Sequence, residues 1–132
     1  MYYHVTPRRN IRRILSQGLK PSPRPALGFW EEEVEDTRGG IHLGRTPEES
    51  LYNIWNTWVN NPEHIERIRG WALFELDLPL GWPLQEDVYG FLITDKPIPP
   101  EYIHLVSSNI TLRDIDKMDR MGHFDKLHEE IF

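Results

Sequence analysis

His4-Val5-Thr6-Pro7-Arg8-Arg9-Asn10-Ile11-Arg12-Arg13-Ile14-Leu15-Ser16-Gln17-Gly18-Leu19 is the stretch whose reading decides the fold. Tyr2 to Val5 before and into it is aromatic and β-branched, which favours a strand. Thr6-Pro7 then predicts a helix start, with Thr6 as N-cap and Pro7 at the first helical position. Ile11, Ile14 and Leu15 recur at helical spacing and make one apolar face. Arg8, Arg9, Arg12 and Arg13 fall mostly off that face. Gly18 is a natural helix stop.

Working outward, residues 20–40 read as a loop, broken by Pro21, Pro23, Pro25, Gly28, Gly39 and Gly40. Ile41 to Leu43 is a brief strand. Thr46-Pro47-Glu48-Glu49 has the form of a capping box, with Pro47 at the first helical position and Glu49 at the third. Leu51, Ile54, Trp55, Trp58 and Val59 follow as a wide apolar stripe, which Asn60, Asn61 and Pro62 end. That spacing predicts core tryptophans rather than a base-stacking surface.

Trp71 to Leu78 alternates, with Ala72, Phe74, Leu76 and Leu78 on one side and Glu75 and Asp77 on the other. Pro79, Gly81 and Pro83 close it. Val88 to Thr94 and Tyr102 to Ser107 are further strands, separated by a turn over Lys96 to Pro100. From Thr111 onward Leu112, Ile115, Met118, Met121, Phe124, Leu127 and Ile131 predict a helix interrupted at Gly122. Early helices followed by clustered strands predict a single α+β domain over residues 1–132, not a parallel doubly wound sheet. A chain of 132 residues can bury one core.

Composition narrows the function classes. Cysteine is absent, which excludes disulfides and cysteine-metal sites. The apolar runs are short and no long apolar segment follows the charges of MYYHVTPRRN, so the expectation is a soluble cytoplasmic protein without a membrane partner. His123 and His128 do not share a helix face, no His-Glu-x-x-His pattern occurs, and no metal is expected. Gly-x-Ser-x-Gly and Gly-rich phosphate loops are absent too.

The net charge of −6 opposes nonspecific nucleic-acid binding. Its distribution is uneven. Arg8, Arg9, Arg12, Arg13, Lys20 and Arg24 give residues 1–30 a charge of +6 with no acid, so the remainder carries −12. The basic segment either pairs with acids such as Glu31, Glu32, Glu33, Glu35 and Asp36, or forms a site for phosphate or pyrophosphate.

The opening segment resembles the start of ADP-ribosyltransferase-like proteins: a strand ending in His-x-Thr, an Asn and an apolar residue, an isoleucine-leucine pair, and Gly-Leu. The DNA-targeting ADP-ribosyltransferase toxins are the nearest group. Gly39-Gly40-Ile41-His42-Leu43-Gly44-Arg45-Thr46-Pro47-Glu48-Glu49-Ser50 is similar to the second strand and capped helix of that superfamily, with His42 where its members carry a tyrosine stacked on nicotinamide. Tyr89 to Asp95, followed by Pro97 to Ile103, is similar to its late strands, including those of the tRNA 2′-phosphotransferase branch.

The resemblance implies NAD as cofactor and transfer of ADP-ribose to a protein or nucleic-acid acceptor. It implies that His4 reaches the nicotinamide-side ribose, that backbone groups beside it hold the carboxamide, and that Val5, Thr6, Asn10, Arg12 and Ile41 complete the NAD site. His42 and a carboxylate would be catalytic. The third strand has no glutamate of its own, which leaves Glu86 or Asp87 just before it. The rival reading is an interaction protein, an inhibitor or phage-type effector that keeps the fold without the chemistry and captures a protein partner. RNA phosphate chemistry at the basic helix is a third, opposed by the acidic remainder of the chain.

Overall fold

The computed structural model describes residues 1–21, 40–86 and 90–125. Its centre is a strand, Trp71–Leu76, in which Trp71, Ala72, Leu73, Phe74 and Leu76 are all buried. The alternation read from the sequence marks its two faces, but both are covered. Ala72, Phe74 and Leu76 pack with Ile14, Leu19, Ile41, Leu43, Leu92, Ile98 and Ile103. Trp71 and Leu73 pack with Leu51, Tyr52, Ile54, Ile65, Phe91, Ile110, Ile115 and Phe124. Two apolar cores thus share one strand as their partition.

In chain order the elements are β1 (Tyr2–Pro7), α1 (Ile11–Gln17), β2 (Ile41–Leu43), α2 (Pro47–Asn60), α3 (Pro62–Glu66), β3 (Trp71–Leu76), β4 (Gln85–Glu86), β5 (Leu92–Thr94), β6 (Ile103–Ile110) and α4 (Leu112–Arg120). They form two antiparallel three-stranded sheets, ordered β1-β3-β6 and β2-β5-β4. The class is α+β, as the order of elements in the sequence predicts. Among the described residues no helix is long and apolar enough to cross a membrane.

Thr6 does not cap a helix. β1 runs on through Thr6 and Pro7, which pair with Ala72 and Trp71, and a 3₁₀ turn over Arg8–Asn10 precedes α1. The reason lies in Pro7 itself. It drives the residue before it into extended backbone, and its own φ of −54° and ψ of 138° continue the strand. A proline at the end of an edge strand forfeits little of the ladder.

Gly18 ends α1 as read, with φ of 80° and its N–H on the Ile14 carbonyl (2.8 Å). It also lets Leu19 exchange two 2.9 Å backbone hydrogen bonds with Ile98. A methyl group there would run into the Ile98 carbonyl oxygen.

The α2 cap is half of what the sequence predicts. Thr46 Oγ1 accepts from the Glu49 N–H (3.1 Å), but the Glu49 carboxylate turns to Arg45 (3.0 Å) instead of returning to the cap. A complete capping box occurs at Thr111 and Asp114 on α4, which ends before Gly122 (φ 80°). The buried side chains of α2 include Leu51, Tyr52, Ile54 and Thr57; Val59 is exposed. β6 extends to Ile110, past the Ser107 end read from the sequence. The strand read over 88–94 is observed as Leu92–Thr94. Positions 87–89, the loop over 22–39, and the helical positions Leu127 and Ile131 lie outside the described residues.

Candidate functional site

The two sheets meet at one point along β1 and then part. Tyr3 exchanges backbone hydrogen bonds with Gly44 (2.9 and 2.8 Å), just beyond the end of β2. In an antiparallel ladder, N–H and C=O of alternate residues point to the same edge. Tyr3 directs its pair away from β3, so Val5 does as well. Among the described residues the Tyr3–Gly44 bridge is the pairing on that edge. Past it β1 and β2 diverge, and a cavity of about 610 Å³ opens between them.

α1 supplies one wall through Arg13, Ile14 and Gln17, and α2 another through Ser50, Asn53 and Ile54. His4, Val5 and Thr6 of β1 and Ile41, His42 and Leu43 of β2 line it from the sheets, and Trp71 from β3. Small-molecule sites usually occupy about 300–1,000 Å³ with mostly apolar walls and a few placed polar groups. This cavity has that size, with a lining more evenly divided between polar and apolar residues.

His4 Nδ1 lies 2.8 Å from the His42 carbonyl oxygen. A carbonyl only accepts, so Nδ1 carries the proton, and in the neutral ring Nε2 is an acceptor. Burial pushes the imidazole pKa below its usual 6.5, an effect partly offset by the hydrogen bond to His42. At neutral pH the ring therefore stays uncharged, with an acceptor nitrogen suited to a hydroxyl donor. The same bond ties β1 to β2 where the sheets separate.

Thr6 is buried, and its hydroxyl accepts from Asn10 Nδ2 (2.9 Å). Asn10 is not itself on the cavity wall; it fixes Thr6, which is. Arg12 points elsewhere. It is exposed and off the wall, and Arg13 takes its place there. With Ile14 turned into the core, Arg13 and Gln17 share a side of α1 as an i, i+4 pair.

Glu86 also lies off the wall. It is exposed at the end of β4, and its carboxylate accepts from Arg45 Nη2 at 2.8 Å. Arg45 also donates to Glu49 and to the Gly90 carbonyl, each at 3.0 Å. Glu86 is thus held to the residue that follows Gly44, which does line the cavity. Asp87 lies outside the described residues.

Sequence reasoning passed over Ser50, Asn53 and Trp71. Ser50, Asn53 and Ile54 stand at i, i+3 and i+4, a helical face beside the apolar stripe, so the signal was present. Only the packing of α2 on β1 gives it meaning. Among the described residues no three His, Asp or Glu side chains group to hold a metal ion. Comparison with known proteins finds no matching family model, no matching curated protein and no matching solved structure.

Proposed function

We propose that the cavity binds NAD and that the protein transfers ADP-ribose from it to a macromolecular acceptor. The observation that carries this reading is the convergence of His4, Val5, Thr6, Ile41 and His42 on one cavity. These positions come from two separated motifs, and the resemblance implies an NAD site for the same set. The residues fit the ligand chemically. His4 Nε2 is an acceptor for a ribose hydroxyl. The Val5 edge offers one N–H and one C=O, the complement of a carboxamide. Arg13 and Lys20 on the lining place cationic groups for a pyrophosphate.

In the reaction, the bond from the ribose anomeric carbon to nicotinamide breaks and its electron pair leaves with nicotinamide. The acceptor nucleophile bonds to that carbon and releases a proton, so nothing is oxidised or reduced. A carboxylate would stabilise the cationic ribose in the transition state. Glu86 is the residue the resemblance implies for that role, although Arg45 holds it off the cavity wall. The test is nicotinamide release with candidate protein and nucleic-acid acceptors. The wild type should release nicotinamide, and Glu86→Gln should lower the rate at least a hundredfold with NAD affinity little changed.

One observation favours a binding-only protein: no Asp or Glu is among the described cavity-lining residues. In that case NAD binds, no acceptor supports nicotinamide release, and Glu86→Gln alters neither.

A further inference from the structure

The polar groups of the cavity differ in exposure, Thr6 and Ser50 being buried and His4 and His42 half-buried. Arg13, Gln17 and Lys20 are exposed, while Asn53 is half-buried. Ile54, Trp71 and Ile14 also line the cavity, at 0%, 0% and 2% exposure. The cavity therefore combines exposed cationic groups with a buried apolar lining.

Asn53 is placed by a specific anchor. Ser50 Oγ donates to the Tyr3 carbonyl (3.2 Å), which fixes α2 against β1. Three residues further along a helix is about 4.5 Å, and two residues along a strand is about 6.6 Å. From that anchor β1 runs on to Pro7, the cross-strand partner of Trp71, and Val5, Asn53 and Trp71 all line the cavity. Asn53 and Val5 thus line one cavity, on elements tied together by the Ser50–Tyr3 hydrogen bond. Of the other polar groups on the wall, the Thr6 hydroxyl is engaged by Asn10, the Ser50 hydroxyl by Tyr3 and His4 Nδ1 by His42, while the buried Trp71 Nε1 has no hydrogen-bond partner among the described residues. Among the described residues, the Asn53 backbone carbonyl accepts from Thr57 (2.7 Å), but its side-chain amide has no partner.

We infer that Asn53 is a specificity-determining residue: its side-chain amide reads the planar carboxamide end of the ligand seated on the Val5 edge. This rests on the NAD reading and adds a contact from α2 to it. An amide has both a donor and an acceptor, so it can complete the hydrogen bonds that Val5 leaves on a carboxamide. Arg13 and Lys20 then face the anionic end.

The experiment is calorimetric titration of wild type and Asn53→Ala with NAD and with ADP-ribose, which lacks the nicotinamide ring. Ala is a stronger helix former than Asn, so the variant should fold, as circular dichroism would verify. Losing a hydrogen bond of ordinary strength corresponds to about tenfold in affinity. The expected result is NAD bound roughly tenfold more weakly by Asn53→Ala, with ADP-ribose affinity unchanged. Equal weakening of both ligands, or no change in either, overturns the role of Asn53 while leaving NAD binding intact. Failure of the wild type to bind NAD overturns the NAD reading and this inference together.

Discussion

His4 ties the two sheets together at their parting and lines the cavity between them. The bond to His42 suits either protonation state, but burial favours the neutral ring, which alone leaves Nε2 an acceptor. Its pKa is lowered on folding, so the unfolded chain takes up a proton first as pH falls. The stability that His4 contributes is therefore full above about 6.5, the unfolded value, and is lost as pH falls through the lower folded value. Denaturation midpoints measured from pH 7.5 to 5 should fall more steeply for wild type than for His4→Gln. Parallel curves would show that the ring is not buried as described. Arg45 carries a second prediction at this scale. Its partner Glu49 has a side chain only 10% exposed, whereas that of Glu86 is 62% exposed. Arg45→Ala leaves a buried carboxylate without its ion pair and should cost about 1–3 kcal/mol. Glu86→Gln disturbs an exposed pair and should cost less than about 1 kcal/mol. Urea unfolding of both variants checks the order.

Elements differ in how much of them a local reading can recover. α2 and α4 begin at Thr46 and Thr111, where a side chain meets the first free backbone N–H groups, and such caps are visible without the fold. Thr6-Pro7 carries the same letters as a cap but serves a strand, because β3 lies alongside to pair with it. Extended backbone before proline suits both outcomes, so only the tertiary partner decides. The short α3 and the two-residue β4 lack a long periodic pattern, and long-range packing defines them. Gly18 gives the test at this scale. Gly18→Ala forces a positive φ on a side chain and a clash with the Ile98 carbonyl, and should lower stability by about 2 kcal/mol or more. Gly81 also has a positive φ, but a methyl group there meets nothing within 4 Å. Gly81→Ala should cost only the backbone term of about 1–2 kcal/mol. Thermal melts of the two variants would separate backbone strain from collision.

Across the whole molecule, the α+β class and the candidate strands β1 and β2 were legible, because hydrophobic pattern and turn residues are local. The cavity was legible only as two motifs in order. Its α2 wall and the substitution of Arg13 for Arg12 depend on how helices rotate when they pack, which local spacing does not report. The central strand binds these parts together. Phe74 is fully buried between β1, β6 and the Ile41–Ile98 side of the core. Phe74→Ala should cost about 3–5 kcal/mol and loosen both sheets at once.

The central claim is that a ligand enters where the sheets part and is held by His4. Calorimetric titration of NAD into folded wild type and folded His4→Ala at pH 7.5 tests it most directly. The account predicts saturable one-to-one binding to wild type and at least about tenfold weaker binding to His4→Ala, the loss of one hydrogen bond. Absence of saturable binding to folded wild type, or equal affinity in the two proteins, would contradict it.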